Sequence, residues 1–104
     1  MSKPVNCCLT LMCHKSMEER LVDYLLEHPE LVTGFSISRI DGNSQSEELR
    51  TMSEQVRGRS RRIEISVVMN LDDAQALLTR LKKDEPNHEV AYWITPVLEF
   101  GRLA

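Results

Sequence analysis

"CCLTLMCH", residues 7–14, places three cysteines, a methionine and a histidine within eight positions. Two readings compete: a cluster of soft metal ligands, or a strand. As a strand rising about 3.3 Å per residue, the stretch sets Cys7 and Cys13 about 20 Å apart and turns Cys7 and Cys8 to opposite faces. No single ion reaches all three thiols, and the paired Cys-x-x-Cys spacing of structural zinc sites is absent. The wider run "VNCCLTLMC", residues 5–13, is mostly apolar and precedes a helix-start signal, so it is read as a strand. What remains for a metal is Cys13 with His14 at the strand end, joined by Met12 or by equivalents from other subunits. The competing reading of these cysteines is packing as small hydrophobes.

Working outward, Ser16 and Glu19 have the spacing of a capping box, which predicts a helix start. Met17, Leu21, Tyr24, Leu25 and His28 then recur along one helical face until Pro29 stops the pattern. "GFSISRID" puts Phe35 and Ile37 on one side and closes at the turn signal Asp41-Gly42, a second and more polar strand. A long polar segment follows. "RRIEISVVMN" after it is a third strand, rich in isoleucine and valine. "LDDAQALLTRLKKD" is a second helix, with Leu71, Ala74, Leu77, Leu78 and Leu81 inward, acids at its start and Lys82 and Lys83 at its end, as the helix dipole favours. "EVAYWITPVL" is the last strand, and Pro96, which lacks an amide donor, suits its end or a sheet edge.

The order is β-α-β-β-α-β, which predicts an α+β, ferredoxin-like fold: a four-stranded antiparallel sheet with two helices on one face. The first and third strands carry apolar residues on both sides, among them Cys8, Met12 and Val68 opposite Leu9, Leu11 and Val67. Two helices cover one face only, so the other face is predicted to be covered by copies of the same chain.

Composition narrows the function. With 104 residues the chain is read as one domain, 1–104, and 41% hydrophobic and 28% charged residues are ordinary globular values. A net charge of -3, with one Trp, two Tyr and two Phe for stacking, argues against nucleic acid as a partner. No signal-peptide pattern or membrane-length apolar run is present, which predicts a cytoplasmic protein whose odd number of cysteines stays reduced. His28 lies on a helical apolar stripe and His88 in a polar turn. The acid pairs Glu18-Glu19 and Asp72-Asp73 sit at helix starts, and no Gly-rich phosphate loop of either common type occurs. No enzyme is predicted.

The segment 42–60 is long for a loop within a compact domain, and loops of that length are usually functional or mobile. Ser44 and Glu47 have capping-box spacing, and Leu49, Met52 and Val56 form a weak helical stripe that a partner could order. Its end, "EQVRGRSRR" at 54–62, sets Arg57, Arg59, Arg61 and Arg62 around Gly58. Guanidinium groups offer a planar fork of donors suited to carboxylate or phosphate, so these residues are candidates for gripping a small anionic effector. The alternative is a solvated run of charge.

The element order, the two-faced sheet and the long segment resemble the PII signal-transduction superfamily. More specifically, "EQVRGRSRR" and "YWITPVLEFGRL" at 92–103 resemble segments of a small, functionally uncharacterised PII-like family associated with heavy-metal efflux systems. The resemblance implies a non-catalytic homotrimer of nitrogen-regulatory type. In it the segment 42–60 corresponds to the T-loop, which contacts and regulates a partner, here a membrane transporter or a regulatory protein. It implies an effector or partner site between subunits built from Arg57, Gly58, Arg59, Arg61, Arg62, Trp93 and Arg102. PII proteins bind ATP or ADP through a Gly-rich loop before the last strand. Here that linker reads "KKDEPNHE" with no glycine, so no cofactor is assigned. The related CutA proteins, tied to metal tolerance, keep the Cys13/His14 metal reading as an alternative. The ACT-like small-molecule sensors share the element order and form a third.

Overall fold

The computed structural model describes residues 3–42 and 60–104. Four strands, β1 (Cys7–His14), β2 (Ser36–Gly42), β3 (Ser60–Met69) and β4 (Ala91–Pro96), form one antiparallel sheet in the order β2-β3-β1-β4. Among the described residues, two α-helices, α1 (Glu18–Leu26) and α2 (Leu71–Asp84), connect them. The predicted ferredoxin-like arrangement is therefore present, with the first strand and the third at the centre.

The core lies between the sheet and both helices. Register pairs Leu9 with Val67, Leu11 with Ile65 and Cys13 with Ile63, so alternate residues of the two central strands form one apolar surface. Leu21, Tyr24 and Leu25 of α1 and Ala74, Leu77, Leu78 and Leu81 of α2 pack on it in a single buried cluster. Cys7 and Cys13 belong to that cluster, and Cys7 donates its thiol hydrogen to the Met69 carbonyl at 3.4 Å. The opening stretch is a strand. Pro96 ends β4, which is an edge strand, as its missing donor requires.

Three local expectations are corrected. Ser16 and Glu19 form no capping box: a short 3-10 turn, Lys15–Met17, precedes α1, and His14 Nδ1 accepts the Ser16 amide at 3.1 Å. The imidazole takes the Ser16 amide, the donor that the Glu19 carboxylate accepts in a capping box, and α1 itself starts without a side-chain cap. Leu71 is 38% exposed, not inward, because it starts α2 beyond the sheet end. At that start Asn70 is the cap, accepting the Asp72 amide at 3.0 Å, while Asn6 Oδ1 accepts the Leu71 amide at 2.8 Å. The third correction concerns the sheet's open face, which is mixed rather than apolar. Cys8, Met12, Val68 and Trp93 share it with Thr10, Ser66, Glu64 and Arg62, because β2 and β3 alternate polar residues there.

Candidate anion-binding groove at the base of the 42–60 segment

The end of β2 and the start of β3 lead into residues 43–59. Beside them the first turn of α1 and the 3-10 turn wall a groove of about 710 Å3, within the range of about 300–1,000 Å3 usual for small-molecule sites. Lys15, Arg39 and Arg61 bring three cations to it, and Val22 and Ile37 supply apolar surface. Glu18, Glu19 and Asp23 line the α1 side. The two arginines come from neighbouring strands, with Arg39 aligned with Ile63 and Arg61 aligned with Asp41. Both are exposed, so their donors are open to a ligand. The groove therefore carries both signs of charge and suits a small anion, or a ligand with its own positive group, better than an extended polyanion.

The sequence-predicted residues fall in four places. Arg57, Gly58 and Arg59, like most of the proposed T-loop, lie outside the described residues. Arg61 lines the groove, whereas Arg62, the next residue along the strand, is buried at 8% exposure on the open face, aligned with His14 and Ile40. Trp93 also sits on the open face, aligned with Thr10. Arg102 follows β4 in an exposed terminal stretch. Because Pro96 aligns with Cys7 and Arg62 with His14, strand rise puts the two ends about 23 Å apart. Within one chain, Arg61 and the end of β4 from which the Arg102 stretch departs lie at different ends of the sheet.

The metal pair is not brought together. Cys13 is wholly buried under the helices, and burial, partly offset by Arg62, pushes its thiol up to about 11. His14 spends Nδ1 on the Ser16 amide and also lies 3.0 Å from the Ser16 hydroxyl. Among the described residues, no three His, Cys, Asp or Glu side chains converge as a metal-ligand set. His28 is structural: its ring meets Tyr24 edge-on at 4.5 Å between centroids, and its Nδ1 lies 3.4 Å from Arg80, which pairs with Glu30 at 2.7 Å. Lys15 and Arg39 were missed by sequence reasoning. The signal that could have found them is positional, since both flank the predicted ends of the first and second strands.

A profile of the DUF3240 family, proteins of unknown function, matches residues 3–104. The chain belongs to the DUF3240 family. A DUF3240 protein of Shewanella baltica OS155 with a solved structure is 24% identical, covering 98% of this chain and 100% of its own, with a TM-score of 0.73. The same fold occurs in CPII of Thiomonas intermedia K12, a nitrogen regulatory PII-like protein solved with ADP, AMP and bicarbonate. It has 16% identity, a TM-score of 0.67, and 93% coverage of both chains. A putative PII-like signalling protein of Thermus thermophilus shares it at 17% identity and a TM-score of 0.62, covering 88% of this chain and 85% of its own. No curated protein matches the sequence. This DUF3240 chain thus has the PII-like fold. Among its described residues, no helix is long and apolar enough to cross a membrane.

Proposed function

We propose that this DUF3240 protein is a PII-like regulatory protein, without catalytic activity of its own, that binds a small anionic effector in the groove and engages a partner through residues 42–60. The observation that carries the reading is the convergence of Lys15, Arg39 and Arg61 beside the two strands that lead into that segment. A ligand held there touches the base of the partner-binding element, so occupancy can bias that element's conformation through differential contacts. CPII, of the same fold, was solved with ADP, AMP and bicarbonate. Here the linker before β4 has no glycine for a backbone phosphate cradle, which puts bicarbonate and a nucleoside monophosphate ahead of longer phosphates.

The working assembly is a cytoplasmic homotrimer. Val68 and Trp93, 40% and 38% exposed on the open face beside Cys8 and Met12, offer apolar surface for a second copy. In a ring of subunits the Arg61–Arg62 end of one copy would meet the Trp93 and Arg102 region of the next, with Arg57, Gly58 and Arg59 closing the cleft. The partner is a regulatory protein or a transporter of a heavy-metal efflux system.

The test is calorimetric titration of bicarbonate and AMP into the protein and into the double variant Arg39→Ala, Arg61→Ala. Binding should weaken at least about tenfold, since each site loses charge-assisted hydrogen bonds, while melting temperature and oligomeric state stay unchanged. Equal affinity in the variant would rule the groove out as the effector site.

A further inference from the structure

A second concavity lies away from the groove, between α1, α2 and β4. Leu11, Leu21, Leu78 and Leu81 floor it, Val90 and Tyr92 wall it, and its volume is about 270 Å3. It is a surface concavity, open to solvent, over four leucines that belong to the core. An apolar cavity of about 150 Å3 already accepts a benzene ring.

Its polar lining comes from Lys82, Glu85, Asn87 and His88. Lys82 holds its ammonium 5.0 Å above the Tyr92 ring. His88 also lines the hollow and is exposed. Glu85, another lining residue, is engaged by Arg20 at 3.4 Å. The Asn87 side chain is engaged twice: its Nδ2 donates to Met17 Sδ at 3.6 Å, and its Oδ1 accepts the Glu89 amide at 2.8 Å. It is a wall fixed by bonds to other residues. What remains is a largely apolar hollow lined by one ammonium, held over an aromatic face, and by an exposed imidazole.

We propose that this hollow binds a small carboxylic acid with one apolar ring or branched aliphatic body, the body on the four leucines and the carboxylate at Lys82 and His88. A ligand of this class matches both the volume and the position of charge. A second carboxylate or a polar body would be left unpaired on the leucine floor, which excludes sugars, nucleotides and dicarboxylates. The site shares no residue with the Arg39–Arg61 groove, so it stands or falls independently of the regulatory reading.

Phenylacetate and 4-methylpentanoate are the probes, with phenylacetamide as the uncharged control, in leucine- and valine-methyl-labelled protein observed by NMR. The expected result is saturable shifts at Leu78, Leu81 and Val90 methyls with either acid and affinity at least about tenfold weaker for the amide. Lys82→Ala, an exposed change that leaves the floor intact, should weaken the acids by about the same factor. Val90→Phe, which fills the hollow from its half-buried wall, should abolish the shifts at Leu78 and Leu81. No methyl shifts at 10 mM acid, equal binding of acid and amide, or shifts confined to Val22 and the Arg39–Arg61 groove would each overturn the assignment.

Discussion

Tyr24 on α1 donates its hydroxyl to Asp84 Oδ2 at the end of α2, 2.8 Å away, tying the two helices together over the sheet. Burial first, and then this carboxylate, push the phenol up to about 12 from its ordinary 10.0. The folded protein therefore holds the phenolic proton more tightly than the unfolded chain does. This stabilisation is complete below about pH 10 and is lost as pH rises from about 10 to 12.

Tyr24→Phe keeps the ring and deletes the bond. It should cost about 1–2 kcal/mol near neutral pH, because the acceptor is charged but solvent reaches Asp84. Urea unfolding at pH 8 and pH 11 checks both parts: the wild-type protein should lose more stability than the variant between the two pH values. Parallel losses would mean that Tyr24 does not titrate with unfolding.

The cysteines should behave as packing residues. The thiolate is the reactive form, and with Cys13 at about 11 only about one molecule in ten thousand carries it at pH 7. Burial raises Cys7 as well. Iodoacetamide followed by peptide mass spectrometry should leave Cys7 and Cys13 unmodified in native protein, with any labelling confined to half-buried Cys8, and modify all three in denaturant. Rapid native labelling of Cys13 would reopen the metal reading.

His14 should act as a cap. His14→Ala removes the acceptor of the Ser16 amide and should destabilise by about 0.5–2 kcal/mol, while His14→Asn, which can also accept, should recover most of it. Thermal melts of the two variants decide this. If alanine and asparagine are equally destabilising, the bond to Ser16 is not what His14 contributes.

The regular elements were legible in the sequence because two periodicities are strong. The leucines at 77, 78 and 81 recur at helical spacing, and the isoleucines at 63 and 65 alternate with polar neighbours, so α2 and β3 are nearly forced. What escaped was local competition for donors. Glu19 and His14 both offer an acceptor for the Ser16 amide, and the 3-10 turn brings that amide to the imidazole. The open face was misread for a related reason: Cys8 and Met12 are apolar, but register sets them beside Thr95 and Glu64, which sequence order does not reveal. The site was legible only as an arginine-rich stretch. Arg61 and Arg62 look equivalent in sequence, yet the strand turns one to the groove and the other to the open face, and Arg39 joins Arg61 through antiparallel pairing across a long segment.

The proposed regulatory role requires a ring of subunits that takes up a small anion near the base of residues 42–60. Native mass spectrometry of the reduced protein, alone and with bicarbonate, AMP and ADP, tests it most directly. We expect a trimer that retains one anion per subunit, with retention lost in the Arg39→Ala, Arg61→Ala variant. A monomer, or a trimer that binds the anions equally well without the two arginines, would contradict it.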